Sequence, residues 1–162
     1  MKQTDRFLLA IIAGVVALVV IALALALTRT PQGYLPDTTP SGVAHNYVLA
    51  LKQGDDERAY GYLSSELVGY PATVDAFAAD TERYSWEFSR DSATLAVGDA
   101  RVTDERAVVT LSETRFSEGG LFGSNQYTTS FNVTLRRQSE AWKIVSAASY
   151  WAACWTTDAP CQ

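Results

Sequence analysis

A continuous apolar stretch near the start of the chain dominates the pattern of hydrophobic and polar positions. Residues 7–27 read FLLAIIAGVVALVVIALALAL, a run of 21 residues without a charged or amide side chain. At about 1.5 Å per residue, a helix of this length spans roughly 30 Å, the thickness of the hydrocarbon core of a bilayer. The pattern therefore predicts a single transmembrane helix over residues 7–27, preceded by a short N-terminus, residues 1–6.

A cleaved signal peptide is the main alternative for this stretch. Ala24, Leu25 and Ala26 fit the small-residue pattern of a cleavage site. The apolar run is, however, longer than the roughly 7 to 15 residues of a typical signal-peptide core. No cysteine lies near its end, so a lipoprotein anchor is excluded. A retained anchor is the preferred interpretation.

Charge on the two sides of the apolar run predicts its orientation. Lys2, Arg6 and the terminal amine precede it, and only Arg29 follows closely. The positive-inside rule then places the N-terminus in the cytoplasm and the large C-terminal part outside. We expect a single-pass protein of the cell (plasma) membrane with an extracytoplasmic domain.

Small residues recur at a spacing of four within the predicted membrane helix: Ala10 and Gly14, and also Ala13 and Ala17. Such spacing allows a second transmembrane helix to approach closely. Membrane helices are rich in alanine and glycine in any case, so a plain lipid-facing helix is the alternative. The four residues are predicted to pack against a partner helix.

Three short helices are predicted after a linker, residues 28–41, which holds three prolines and no helical period. The first helix starts near Ser41 and ends at Gly54, Asp55 is suited to cap the second, and the third follows Pro71. His45 lies opposite the apolar face of the first helix and is expected to be solvated or at an interface. The apolar positions that define the three helices are Val43, Ala44, Tyr47, Val48 and Leu51; Ala59, Tyr60 and Leu63; and Val74, Phe77, Ala78 and Thr81.

After Tyr84 the helical period gives way to alternation of apolar and polar residues. Turns are predicted at residues 103–106 and 138–140, and the clearest strand runs from Tyr127 to Leu135. One apolar and one polar face are typical of an antiparallel sheet covered on one side. The alternating apolar positions are Trp86, Phe88, Leu95, Val97, Val109, Leu111, Tyr127, Phe131, Val133, Leu135, Trp142 and Ile144.

This order of elements predicts the α+β class, with about three helices packed on one face of a curved antiparallel sheet. We assign residues 42–149 to this domain and residues 150–162 to an aromatic C-terminal tail.

The predicted domain is acidic. The whole chain has 18 acidic and 13 basic residues; Lys2, Asp5, Arg6 and Arg29 lie before Thr30, which leaves residues 30–162 with 17 acids, 10 bases and a net charge of −7. Nucleic-acid binding depends on basic clusters, and anionic lipid headgroups repel an acidic surface. We expect no nucleic-acid partner.

Two cysteines, Cys154 and Cys161, lie near the C-terminus, and His45 is the single histidine. A zinc or iron site cannot be assembled from this Cys and His content alone. In an oxidising compartment the pair is expected to form a disulfide, with two free thiols as the alternative. The sequence predicts no metal site and no cofactor.

Two local patterns resemble the cone-shaped superfamily of nuclear transport factor 2 and ketosteroid isomerase. YVLALKQGD at residues 47–55 is similar to the helix–Gly-Asp–helix opening of extracytoplasmic members, and EAWKIV at residues 140–145 is similar to their closing strand. The resemblance covers roughly residues 41–149 and implies a cone-shaped domain. In its catalytic members an Asp or His inside the cone acts as base. Neither His45 nor Asp99, near a predicted turn, fits that role, so we predict no catalytic residue and no enzyme.

Two segments are predicted to contact partners. Leu121 and Phe122 lie in a glycine-rich connection between strands, and Tyr150, Trp151 and Trp155 form an aromatic group near the C-terminus. Exposed apolar loop tips and aromatic residues are typical of interfaces. The alternatives are that the loop residues fold back onto the sheet and that the tail packs over the open end of the cone.

These features favour a non-catalytic accessory subunit of a larger integral-membrane complex, which contributes a transmembrane helix and an extracytoplasmic interaction domain. By analogy, respiratory or photosynthetic electron-transfer complexes are the expected class. One alternative is a membrane-anchored module that binds a small apolar ligand between Tyr60, Trp86 and Phe131. A less favoured alternative is an enzyme of the isomerase or dehydratase type, which requires an ionisable residue in a cone pocket.

Overall fold

A computed structural model describes residues 2–27, 32–88, 93–119, 123–157 and 161. The chain divides into two compact units, Met1–Gly33 and Tyr34–Gln162. The first holds α1 (Lys2–Leu27). The second holds α2 (Pro40–Gln53), α3 (Asp56–Gly61), α4 (Val74–Arg83), β1 (Thr94–Thr103), β2 (Arg106–Gly119), β3 (Gly123–Gln138), β4 (Ala141–Ala147) and a 3-10 helix (Ala153–Thr156).

The helix α1 is long and apolar enough to cross a membrane. Its central 18 residues, Phe7–Ala24, have a mean hydropathy of 3.2, and none of them is buried inside the protein. A core helix of a soluble protein would be mostly covered, so α1 is not one. A signal sequence near the N-terminus passes the same test of length and composition.

The three predicted domain helices are present, and local chemistry sets their ends. The Thr39 hydroxyl accepts a hydrogen bond from the Gly42 N–H at the start of α2, and Gly54 ends that helix with a left-handed φ of 72°. Asp55 then caps α3 by accepting from the Arg58 N–H, as predicted. Side-chain caps at the N-terminus and a left-handed residue at the C-terminus satisfy backbone groups that a helix leaves unpaired.

The predicted linker, residues 28–41, differs from the structure, because its second half is part of the domain. The side chain of Asn46 on α2 accepts from the Leu35 N–H at 2.7 Å and donates to the Leu35 carbonyl at 2.6 Å. The Arg58 guanidinium lies 3.6 Å from the centre of the Tyr34 ring. Bidentate pairing and ring stacking hold this proline-rich segment against α2 and α3, which composition alone did not indicate.

The four strands form one antiparallel sheet in the order β1-β2-β3-β4. The predicted turns are confirmed: Asp104 and Ser139 occupy them with φ values of 52° and 57°. The longest pairing joins β2 and β3, from Arg106 opposite Arg136 to Gly119 opposite Gly123. The helices cover one face of this curved sheet, so the predicted α+β architecture is confirmed.

The alternation predicted at Trp86 and Phe88 is not a strand. The N–H groups of Glu87 and Phe88 both bond to the Tyr84 carbonyl, which forms a turn after α4. Phe88 is buried against Trp155, whereas Trp86 is 72% exposed. Trp86 and Phe88 therefore belong to a turn, although they alternate as strand residues do. The first strand starts only at Thr94.

The core lies between α2 and the inner face of the sheet. Every residue of α2 from Gly42 to Leu51 is buried, so this helix has no solvated face there. His45 is only 5% exposed, and its Nδ1 lies 3.2 Å from the Asn46 Oδ1. His45 was predicted to be solvated or at an interface. It is not solvated, because α2 is buried along this length, and a position at an interface stays a prediction.

Candidate functional site

The aromatic tail is part of the core. Trp155 is fully buried and stacks on Phe77 with ring centres 5.2 Å apart, and Trp151 meets it edge-on at 5.1 Å. Tyr150 is also buried and packs beside Phe131. The three tail aromatics predicted as interface residues are therefore not available as an exposed contact surface. The structure matches the alternative in which the tail packs over the domain.

A disulfide joins Cys154 and Cys161, with their Cα atoms 5.2 Å apart. Cys154 lies in the 3-10 helix next to Trp155, and the Cys161 carbonyl accepts a 2.8 Å hydrogen bond from Arg83 on α4. The predicted pairing is confirmed. It closes a short loop that fastens the C-terminal tail to the domain.

A polar group, which we call the Glu113 cluster, consists of Lys52, Glu113, Arg115 and Tyr150; Glu113 and Tyr150 are buried, and the Arg115 side chain is 43% exposed. The Lys52 Nζ and the Tyr150 hydroxyl both bind Glu113 Oε1, at 2.5 Å and 2.7 Å. Arg115 Nη2 donates to Glu113 Oε2 at 3.2 Å. Lys52 also lies 5.4 Å from the centre of the Tyr150 ring. Two cations and a phenol thus surround one carboxylate.

Three parts of the domain position the members of the Glu113 cluster. Glu113 and Arg115 follow Leu111 on the inward-facing positions of β2, and Lys52 lies in the last turn of α2. Tyr150 follows β4 with a φ of 59°, and its carbonyl accepts a 2.7 Å hydrogen bond from the buried Tyr47 hydroxyl. The cluster therefore joins the helix layer, the sheet and the tail.

Electrostatics keep Glu113 ionised. Burial alone would raise the pKa of the Glu113 carboxyl, but hydrogen bonds from Lys52 and Tyr150, together with the charges of Lys52 and Arg115, outweigh burial and hold that pKa below its usual value. Burial and the neighbouring Glu113 carboxylate raise the pKa of the Tyr150 phenol. The carboxylate accepts and the phenol donates at neutral pH.

The hydrogen bonds and charges of the Glu113 cluster are used within the domain. A general base is effective when its pKa lies near the working pH, and the pKa of Glu113 is shifted in the opposite direction. Its two oxygens already accept from Lys52, Tyr150 and Arg115. The cluster is therefore an internal brace with a satisfied carboxylate.

The Glu113 cluster predicts a pH dependence of stability. Because the folded pKa of Glu113 is lowered, its contribution is complete above the unfolded pKa of about 4.3 and is lost as the pH falls through the lower folded value. We expect the difference in unfolding free energy between the wild type and Glu113→Gln to be constant from pH 7 to about 5 and to shrink below about 4. Urea titrations across this range measure it; a difference that grows with acidification would contradict it.

A second polar group lies at the start of the domain. We call it the Asp37 cluster, and it consists of Tyr34, Asp37, Asn46, Asp55, Arg58 and Tyr62. Asp37 Oδ1 accepts from the Tyr62 hydroxyl at 2.8 Å and from Asn46 Nδ2 at 2.5 Å. Arg58 Nε donates to the Tyr62 hydroxyl at 2.9 Å, and the Tyr34 hydroxyl donates to Asp55 at 3.3 Å. Only residues 28–33 separate the end of α1 from this network.

The remaining predicted residues fall into three groups. Leu121 and Phe122 lie outside the described residues. Asp99 lines a groove with Thr110 and Asn132 on the outer face of the sheet, away from the core. Of the aromatics named for the ligand-binding alternative, Trp86 is 72% exposed and Phe131 is buried.

The small residues at a spacing of four lie on the surface of α1. Ala10, Ala13, Gly14 and Ala17 are all exposed, and a methyl group added at Gly14 would meet nothing within 4 Å. Their predicted packing against a second helix stays a prediction.

The sequence interpretation missed Lys52, Glu113 and Arg115. A signal was present, because Glu113 and Arg115 continue the inward alternation of Val109 and Leu111 on β2. Lys52 lies four residues after Val48, on the same side of α2. Charged residues at positions where the period requires apolar ones indicate a buried ion pair.

No protein-family model and no curated protein matches the sequence. Among solved structures, the chain is similar to a SEC-C motif containing protein from Rhodopseudomonas palustris, at 15% identity and a TM-score of 0.48, over 78% of this chain and 86% of that one. It is also similar to an NTF2-like protein with a cystatin-like fold from Novosphingobium aromaticivorans, at 20% identity and a TM-score of 0.43, over 69% and 81% of the two chains. The neighbours thus include the superfamily that the sequence motifs resemble. At this level of similarity they carry no argument about activity.

Proposed function

We propose that this chain is a membrane-anchored, non-catalytic accessory subunit, which contributes one transmembrane helix and one extracytoplasmic interaction domain to a larger membrane complex. The observation that carries the proposal is the bare apolar surface of α1. None of the residues in its 18-residue span, Phe7–Ala24, is buried, and the span has a mean hydropathy of 3.2. Exposure of such a surface to water costs about 25 cal/mol per Å² in free energy. We therefore expect α1 to be surrounded by lipid and a neighbouring helix.

The chemistry of the domain supports a non-catalytic role. Its one buried glutamate is bound to Lys52, Arg115 and Tyr150 within the described residues and has a lowered pKa. His45, the single histidine of the chain, is a buried residue of α2, and its ring lies beside the Asn46 side chain. These groups support the domain, and neither is arranged as an acid–base pair facing a substrate.

The way the domain begins supports a tethered role. The Asp37 cluster ties Tyr34 and Asp37 to α2 and α3, so the ordered domain starts only six residues after α1 ends. A short tether keeps the domain near the membrane. This raises the effective concentration of the domain for partners in the same membrane. The net charge of −7 over residues 30–162 favours a partner with a basic surface.

The orientation is part of the proposal. Lys2 and Arg6 precede the apolar run, which favours a cytoplasmic N-terminus and an extracytoplasmic domain. The Cys154–Cys161 disulfide is consistent with an oxidising compartment. The kind of complex, respiratory or photosynthetic, stays a prediction.

The test is recovery of partners from native membranes in mild detergent, with a substitution on the small-residue face of α1. Gly14→Ile places a bulky side chain on this face. It causes no internal clash, because nothing lies within 4 Å of the added Cβ. We expect roughly tenfold less partner to copurify, since a loss of about 1.4 kcal/mol of helix packing is a factor of ten. Ala22→Ile, which lies outside the arc of Ala10, Ala13, Gly14 and Ala17, is the matched control and is expected to leave recovery unchanged.

Recovery of the wild type as a lone monomer, with nothing enriched over an untagged control, would contradict the accessory role. A mature chain that begins after residue 26 and is found free of the membrane would contradict the anchor. Mass determination of the intact membrane-extracted protein distinguishes the two failures.

A further inference from the structure

A third potential metal ligand lies beside the disulfide. One carboxylate oxygen of Asp80 and the sulfurs of Cys154 and Cys161 all lie within 4.8 Å of one another. Asp80 belongs to α4, whereas both cysteines belong to the C-terminal tail, so only the fold brings the three together. Asp80 and Cys154 are buried, and Cys161 is half-buried.

The Asp80 carboxylate is held in place by two donors. Trp155 Nε1 donates to Oδ2 at 2.9 Å, and Arg83 Nη1 contacts Oδ1 at 3.4 Å. Hydrogen bonds of this kind orient the carboxylates that bind metals and tune their affinity. The Trp155 contact is buried and short, while the Arg83 contact is long and its side chain is 44% exposed. The Oδ1 atom is therefore the carboxylate oxygen that is available to bind a cation.

We propose that reduction of the Cys154–Cys161 disulfide converts this corner of the domain into a binding site for a thiophilic divalent cation such as Zn²⁺, with two thiolates and the Asp80 carboxylate as protein ligands. In the reduction a dithiol supplies two electrons and two protons. The Cys154–Cys161 bond breaks, each sulfur becomes a thiol, and the dithiol closes into its own disulfide. The cation then displaces both thiol protons as it binds, and the two charges of the thiolates neutralise it.

The donor set fits zinc chemistry. Zinc binds cysteine sulfur at about 2.3 Å and carboxylate oxygen at about 2.0–2.2 Å, so tetrahedral ligands lie roughly 3.3–3.8 Å apart. To reach these separations, the two sulfurs move apart after reduction and the Asp80 oxygen, now within 4.8 Å of them, moves closer. Three protein ligands leave the fourth position to water. In the oxidised state the sulfurs are bonded to each other and are not thiolate ligands, so binding depends on the redox state.

The test uses the full chain in mild detergent. The protein is reduced with dithiothreitol, desalted under argon and titrated with Co²⁺, whose thiolate charge-transfer absorption reports direct sulfur ligation. The reduced wild type is expected to bind one Co²⁺ per chain with this absorption, and the oxidised wild type to show none. Zn²⁺ is expected to displace Co²⁺ and abolish the absorption.

Substitutions on α4 test the third ligand. Asp80→Asn is expected to weaken binding by at least the roughly 10–100-fold that follows loss of an outer-shell partner. Asp75→Asn makes the same chemical change on an exposed position of the same helix and is expected to leave affinity unchanged. Arg83→Gln removes the cation that shares Oδ1 and is expected to tighten binding.

Two results would overturn the proposal. One is a reduced wild type without the thiolate absorption. The other is affinity that is equal in Asp80→Asn, Arg83→Gln and the wild type, which would leave the cysteines without a carboxylate partner. If Asp80→Asn loses its near-ultraviolet circular dichroism, Arg83→Gln and the redox contrast in the wild type decide the question.

Discussion

Replacing Trp155 with alanine is expected to destabilise the domain by about 3–5 kcal/mol, the usual cost of deleting a large buried aromatic side chain. Trp155 is fully buried, packs against Phe77, Phe88 and Trp151, and donates to Asp80. The change therefore opens a cavity and removes the donor of the Asp80 Oδ2 atom. Urea unfolding of the full chain in mild detergent, followed by far-ultraviolet circular dichroism, measures the loss.

Trp86→Ala is the matched control for this substitution. It makes the same chemical change in a side chain that is 72% exposed, and surface substitutions usually alter stability by less than about 0.5 kcal/mol. Equal destabilisation by the two alanine variants would contradict the placement of Trp155 in the core.

Replacing Glu113 with alanine is the second substitution for which we expect a large effect, about 3–5 kcal/mol of lost stability. Glu113 is only 5% exposed and is the common partner of Lys52, Arg115 and Tyr150. Its removal leaves the Lys52 ammonium buried without its carboxylate, and this uncompensated charge dominates the cost. The same denaturant titration measures it at pH 7.

Two further variants separate charge from packing. Glu105→Ala removes an exposed glutamate in the turn before β2 and is expected to be nearly neutral. The double variant Lys52→Met, Glu113→Leu removes both charges and is expected to recover much of the stability, since apolar residues of similar volume replace buried ion pairs well. A double variant less stable than Glu113→Ala would refute the interpretation of Glu113 as the partner of a buried cation.

Local signals predicted those parts of the fold that local chemistry controls. Gly54 ends α2 because glycine adopts a positive φ without steric cost, and Asp55 caps α3 because its carboxylate reaches a free N–H. The alternation from Tyr127 to Leu135 predicted β3 because successive side chains of a strand point to opposite faces. Each of these features involves residues only a few positions apart.

Features that depend on distant residues were not predicted. Trp86 and Trp155 are the same residue type in similarly aromatic surroundings, yet one is exposed and the other is the centre of the tail packing. The pair Lys52 and Glu113 meets across the helix and sheet layers, and Asn46 holds a segment expected to be a linker. Residue type and period specify how apolar a position is. They do not specify which other element of the fold packs against it.

The sequence by itself determined the apolar N-terminal helix, the α+β order of elements and the positions of the helix caps and strand turns, because these follow from composition and from contacts within a few residues. Only the tertiary structure decided that the C-terminal aromatics are core, that Glu113 is braced by two cations, and that Asp80 lies beside the two cysteines. The physical reason is that burial and electrostatic environment depend on groups brought together from 30 or more positions apart, as with the 37 positions between Glu113 and Tyr150 and the 75 between Asp80 and Trp155.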